Sequence, residues 1–542
     1  MLPRSLLSRG TALGLAALLL AGGLAVVSCK KKNGQSAEAP APRPTLRIAV
    51  VSTLAGALEP CGCQKDMLGG ADHAAALLAK KRETAGAQLV LGAGPMFFMN
   101  PELDHKAATQ EQWKADAIAE SLSEMGLAAW SPGANDWAAG AARLAELRGK
   151  ARATLLAANL SGEVAGATAV SVIEVAGHKV GVVGVSLPLI VGASPPGVKV
   201  EEAQAALVRG HEALAAQGAR LFVALVSAPR GEALRLVETA NVFHLAIIGK
   251  PFDRGEGNDA PTPPVLLGKT LVVQPPNHLQ AVSVVDFFVR DGGFEFQDGI
   301  GIELGEKRQR LESRISELSA RIADWEKQRG VSETDLDARR KELAAARAQL
   351  AGLAPAEPPK TGSYFRYELA EVRESVGTDA KVAGRMASYY KRVNEHNREA
   401  FKDRKPEPVT ENQSSYLGAE ACKSCHLEEH AFWKTTPHAR AYVTLERQHK
   451  QFNLECVDCH VTGYEKPGGS TVTHVERLTD VQCEVCHGPG SRHLADPANP
   501  ALILKTPGKD LCAPTCHHPP HVGPNWDVEQ AWKKIIGPGH GG

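Results

Sequence analysis

The 542-residue sequence predicts an α/β layered sandwich, then a helical hairpin, then a mostly α and irregular C-terminal segment. Three observations carry this. Apolar, β-branched runs alternate with helix-period runs from Leu46 to Ile302, as layered α/β folds require. Leucines recur at helical spacings across residues 303–353. Four pairs of cysteines, each closed by a histidine, crowd residues 416–542. The length calls for more than one core. Lys+Arg (61) equals Asp+Glu (61), so nothing points to a polyanion, and no nucleic-acid partner is expected.

The N-terminus reads as a targeting segment. Arg4 and Arg9 form a positive start, and Thr11–Val27 is a short apolar run near the lower length limit for a spanning helix. It ends in Val26-Val27-Ser28-Cys29, which resembles a bacterial lipobox. The resemblance implies a signal peptide over 1–29, a lipidated Cys29, and an exported lipoprotein anchored to a membrane and facing the periplasm. Residues 30–45 (KKKNGQSAEAPAPRP and the residue after it) form a Pro/Ala-rich tether.

In the α/β part, strands are expected at Leu46–Ser52, Ala87–Ala93, Ala151–Ala158, Ala169–Val175, Lys179–Val185, Arg220–Ser227, Phe243–Ile248 and Thr270–Val273. Helices are expected at Ala71–Ala85, Glu111–Met125, Trp137–Leu147 and Glu201–Ala216. This order resembles the metallophosphoesterase domain of bacterial 5′-nucleotidases over residues 46–302. That family places metal ligands where this chain has Thr53, Ala55, Gly94-Pro95, Gly133-Ala134-Asn135-Asp136, Ala228 and Gly249-Lys250. A dinuclear centre needs several carboxylate and imidazole donors. The expectation is a scaffold lacking the metal ligands, and no phosphoesterase activity; Asn135, Asp136 and His278 remain as polar residues. Cys61 and Cys63, in EPCGCQ, read either as a redox or metal-binding pair or as a loop disulfide, whose small ring would be strained and reducible.

The hairpin follows from Leu311, Ile315, Leu318, Ile322 and Trp325, and from Leu336, Leu343 and Leu350, with a break at Arg329-Gly330-Val331 and a capping-box start at Ser332. A parallel dimeric coiled coil is the alternative. Residues 354–415 read as a linker, a strand at Tyr364–Val372 and a helix at Lys381–Phe401.

The last segment carries the chemistry. Cys422/Cys425/His426, Cys456/Cys459/His460 and Cys483/Cys486/His487 follow Cys-x-x-Cys-His; Cys512/Cys516/His517 has one extra residue. Two thiols that form thioethers, followed by a histidine that ligates iron, make a haem c attachment motif. Four haems are expected, three on the regular spacing and one on the longer. Paired cysteines alone could bind zinc; the adjoining histidines favour haem. Haem macrocycles would also supply apolar interior to a chain with only 5% aromatics. No methionine lies beyond Met386, and twelve of the nineteen histidines lie beyond Gly418. Without a nearby methionine the sixth ligand is a second His, a water or vacant site, or an unusual donor, and reduction potentials should be low; the eight histidines beyond the four in the motifs suffice for bis-His ligation at every haem.

The stretches CKSCHLEEHAFWKTTPHARAYVTL, CVDCHVTGYEKPGG and VQCEVCHGPGSRH resemble the tetrahaem cytochrome family that accepts electrons from hydroxylamine oxidation. The resemblance implies a multihaem cytochrome c domain over 416–542, with His438 and His493 as distal ligands. His521 (or His518) and His474 are the next candidates. The expected function is electron transfer in the cell envelope, with redox proteins or quinol-linked donors as partners. The alternative is an oxidoreductase acting on a small nitrogen or sulfur compound at one open haem, with Lys434, Arg440, Tyr442 and Arg492 at hand.

Overall fold

The computed structural model of the protein describes residues 42–60, 67–188, 194–253, 256–327, 332–353, 357–518, 521–522 and 526–540. Cys29, Cys61 and Cys63 lie outside the described residues, as do the signal segment and the hairpin's turn. From Arg43 onward the chain forms one unit. Among the described residues, no helix is long and apolar enough to cross a membrane.

Among the described residues fifteen strands form, in chain order: β1 (Leu46–Val50), β2 (Gln88–Gly94), β3 (Leu127–Pro132), β4 (Thr154–Leu155), β5 (Leu160–Gly162), β6 (Val170–Val175), β7 (His178–Ser186), β8 (Val198–Val200), β9 (Leu221–Ser227), β10 (Leu245–Gly249), β11 (Val265–Leu267), β12 (Thr270–Val273), β13 (Ala281–Phe288), β14 (Phe296–Asp298) and β15 (Ser363–Glu371). The longer helices are α1 (Ala71–Glu83), α2 (Ala108–Met125), α3 (Gly140–Ala151), α4 (Ala203–Ala216), α5 (Arg230–Ala240), α6 (Ile302–Trp325), α7 (Glu333–Ala351) and α8 (Ala380–Ala400).

One sheet runs β14-β15-β13-β1-β2-β3-β4, the other β11-β12-β10-β9-β7-β6. Side chains alternate across a strand, and β1 shows the result. Ile48 and Val50 join Leu91, Val182, Leu225 and Ile247 in the core between the sheets. Ala49 and Val51 face the other way, into a core with α1, α2, α3 and α8. Helices α4 and α5 cover the outer face of the second sheet. The layered α/β sandwich is therefore present, as four layers.

Three features differ from the sequence reading. Strand β13, which was not expected, is central: it pairs antiparallel with both β1 and β15. Its apolar run is interrupted by Asp286, which is held by Arg47 at 2.6 Å. Second, α5 was also not expected, and the strand expected over Ala151–Ala158 shrinks to β4 because α3 runs on to Ala151. Third, the strand and helix expected after the hairpin form as β15 and α8, but they belong to the α/β domain, which therefore extends beyond residue 302. β15 pairs with β13 from Ala281↔Glu371 to Phe288↔Tyr364, and α8 buries Val382, Met386 and Val393 in the helical layer. Helices α6 and α7 are thus an excursion between two strands of one sheet. They run antiparallel, with Arg314 paired to Glu342 and Arg340 to Glu326. Beyond α8 the chain is short helices and turns, with a small side-chain core of Tyr442, Val457 and Val461.

Candidate haem sites

Each motif is wound into about one turn, which brings its histidine back over its first cysteine. In the first, Cys425 N and His426 N both donate to Cys422 O (3.2 and 3.0 Å). The fourth has an extra residue, yet Cys516 N and His517 N again both donate to Cys512 O (3.2 and 2.9 Å). The longer spacing is absorbed as a wider turn, with a bond from the fifth residue instead of the fourth. The last Cys-His pair therefore closes on the same carbonyl in both.

The motifs come together in pairs. The Cys516 thiol lies 4.0 Å from Cys459 O and the Cys459 thiol 3.9 Å from Thr515 O, while Leu417 N and Gly418 N, just before Cys422, donate to the Glu484 carboxylate of the third motif (3.0 and 2.7 Å). The first motif thus sits against the third, and the second against the fourth. None of the eight motif cysteines is in a disulfide. Burial pushes the Cys456 thiol up to about 12 and that of Cys486 to about 11.

The histidines show how ligands could be presented. The Nδ1 of His460 bonds to Ala441 O (2.6 Å) and that of His487 to Leu504 O (2.8 Å). A carbonyl can only accept, so each Nδ1 carries the proton and Nε2 is left for a metal. The His438 and His517 ring centroids are 6.2 Å apart, and those of His487 and His540 are 6.0 Å apart. Two imidazoles bound on opposite sides of one metal, with bonds of about 2 Å, place their centroids about 6 Å apart. Burial lowers the pKa of His438, His487 and His517, favouring the neutral ring that ligation needs. Trp526 stacks on His517 at 4.8 Å and 3°.

The expected distal ligands are placed as follows. His438 meets the fourth motif. His493 has a buried Nδ1 with no hydrogen-bond partner. His521 packs against His518 (5.3 Å). His474 sits between the hydroxyls of Thr471 and Thr473 (3.4 and 3.2 Å). His430 is buried on Glu420 (3.2 Å). His540 was not singled out; nothing near it in sequence marks it, and only the fold brings it to His487.

Haem c suits this donor set. Eight thiols are uncrosslinked, and Leu427, Leu494, Leu504 and Leu511 stand exposed around the motifs (62, 50, 51 and 38%), where macrocycles would cover them. Among the described residues no three His, Cys, Asp or Glu side chains converge as a metal cage.

The α/β positions tell a different story. Lys250 Nζ lies at 2.5 Å from Glu256 and 3.1 Å from Asp259, and Lys250 O accepts from Thr53 Oγ1 (3.2 Å). A Cβ added at Gly249 would fall 2.0 Å from Ala93 C, so the strand ends touch there. Asp136 is fully buried and accepts from the N–H groups of Met96, Phe97 and Gly133 (2.8, 2.9 and 3.0 Å); burial pushes its carboxyl up to about 6. Asn135 donates to Met99 O and Phe252 O (2.7 and 3.1 Å). His278 meets Asn258 (3.0 Å), and burial pushes it down to about 4. These groups fasten loops.

Residues 421–488 match the family described as cytochrome c554 and c-prime. A curated relative, cytochrome c-554 of Nitrosomonas europaea, is 35% identical over 117 residues, covering 18% of this chain and 50% of its own length. The chain thus spans about half of that relative. Among solved structures, a 5′-nucleotidase precursor from Thermus thermophilus aligns with a TM-score of 0.44 at 16% identity, over 69% of this chain and 62% of its own. A Thermus thermophilus sulfate thiohydrolase, SoxB, gives 0.44 at 15%, over 71% and 68%. The calcineurin-like phosphoesterase YfkN of Bacillus subtilis gives 0.37 at 16%, over 46% and 88%. The C-terminal segment is thus similar to cytochrome c554, and haem c is the cofactor that this family implies.

Proposed function

We propose that the chain is a multihaem c-type cytochrome that passes electrons through residues 416–542, held in the cell envelope by a lipid on Cys29. The observation that carries this reading is the pairing of imidazoles at about 6 Å on the third and fourth motifs, added to the contact of motif one with three and of two with four. Cys422, Cys425, Cys456, Cys459, Cys483, Cys486, Cys512 and Cys516 would hold four haems, and His426, His460, His487 and His517 would be the proximal ligands. His438 would complete the fourth site and His540 the third. Haem c supplies reversible one-electron chemistry when bound. The protein's part is to fix ligand, distance and burial. Two carbonyls orient proximal rings, and Trp526 holds a third. With no methionine in the segment, imidazole pairs keep the potentials low. Haems held on motifs that meet in pairs would lie close enough for electrons to cross from one to the next.

Intact mass and a pyridine haemochrome assay test this. Four haems per chain and four one-electron steps are expected; three haems would remove the fourth motif from the reading, and none would end it.

A second reading has one observation behind it. Among the described residues, neither His426 nor His460 has another imidazole in ring contact. An open position at either haem would allow chemistry on a small nitrogen or sulfur compound. Cyanide or nitrite binding to a high-spin ferric fraction would favour it, and wholly low-spin, unreactive haems would exclude it.

A further inference from the structure

The second motif differs from the others in what holds it. The seven residues from Lys450 to Cys456 are clamped by α2 and α8 of the α/β domain. Gln110, 1% exposed, donates to Asn453 Oδ1 (2.9 Å) and accepts from Asn397 Nδ2 (3.0 Å) and Leu454 N (3.2 Å). Asn397 also donates to Phe452 O (2.8 Å). Lys450 is ion-paired with Glu59, and its ammonium lies 4.2 Å from the Tyr390 ring centroid. Tyr389 and Tyr390 pack edge to face at 4.8 Å and are both buried.

One charge pair in this clamp touches the motif directly. Lys114, reaching from α2 with its side chain 11% exposed, meets Glu455 at 2.9 Å. Glu455 is the residue immediately before Cys456. Glu111, one turn earlier on α2, faces the same place: burial and Glu455 both raise its carboxyl pKa.

We propose that the α/β domain sets the reduction potential of the second haem through Lys114, a positioning residue that balances Glu455 beside Cys456. The inference rests on the reading of Cys456, Cys459 and His460 as a haem site. The physical case is simple. A ferric haem carries one more positive charge than a ferrous one, so a nearby carboxylate favours the oxidised form and a nearby ammonium the reduced form. Half-buried charges are screened weakly compared with those in water, and groups just outside a metal's own ligands tune it. Removing Lys114 leaves Glu455 unbalanced next to the thioether carbon.

The test uses the full chain, with haem number first checked by intact mass. Lys114→Met should move one of the four midpoint potentials to a more negative value in a spectroelectrochemical titration. Glu455→Gln, at a more exposed position, should move the same potential the other way. The double variant should return it close to wild type. Four attached haems with every potential unmoved in both single variants would overturn the inference and leave the cytochrome reading intact. Movement of all four together would also overturn it, since that marks general loosening. A wild-type chain with no haem on the second motif would instead sink the functional reading itself, and this one with it.

Discussion

Replacing His438 by alanine removes one of two rings standing 6.2 Å apart. If an iron lies between them, His517 remains and the opposite position opens. A ferric haem with one imidazole is high-spin, whereas one with two is low-spin. One of four motifs is affected, so about a quarter of the total haem should change spin state, with the other three unaffected. His540→Ala should convert a second, separate quarter, because its partner is His487 at 6.0 Å, and the two together about half. Electron paramagnetic resonance and the visible charge-transfer band read this directly. Free imidazole should restore the low-spin signal in both variants, since the cavity left by the ring admits it. The reasoning fails if His438→Ala folds, carries its full haem complement and shows no new high-spin signal. It also fails if added imidazole restores nothing.

Two further outcomes test the scaffold. His244 is buried, accepts a hydrogen bond from Phe222 N (3.0 Å), and is pushed by burial from 6.5 down to about 4. The folded chain therefore binds fewer protons than the unfolded one between those values, and stability falls as pH drops through that window, by roughly 3 kcal/mol in full. His244→Phe should flatten that slope in denaturant titrations at pH 4–7, while costing about 1 kcal/mol at pH 7 from the lost acceptor; an unchanged slope would show that the ring is not held neutral. Phe365→Ala, in β15 at 1% exposure, should cost about 3–5 kcal/mol in thermal unfolding, and a loss under about 1 kcal/mol would contradict a core position for that strand.

What was legible in the sequence depended on how local the cause was. Continuous apolar runs such as Leu46–Val50 and Leu221–Ser227 declare themselves because their burial is written in neighbouring residues. The haem motifs are legible for the same reason: thiols and imidazole must sit within one turn. β13 hid because Asp286 breaks its apolar run, and the Arg47 that balances it lies 239 positions away. β15 was readable as a strand but not as a sheet member, since only pairing with β13 gives it a place. His438 had neighbours that marked it, whereas His540 has only its position in the folded chain. The Gln110–Asn397–Asn453 hub was invisible, because polar residues on separate elements acquire meaning only when burial forces them to satisfy one another.

The pairing of β15 with β13 also orders events in time. The first sheet cannot close until residue 371 exists, and α8 must then cover it. Every residue of the α/β domain that grips Lys450–Cys456 lies at or before Asn397, so all the gripping residues precede the gripped segment along the chain. The haem segment's own side-chain core, Tyr442, Val457 and Val461, is too small to offset the entropy of ordering it. With haem attached as proposed, the scaffold would work as a jig: it would hold the second motif oriented while its thiols are free, and covalent attachment would then lock in the geometry that the α/β domain sets.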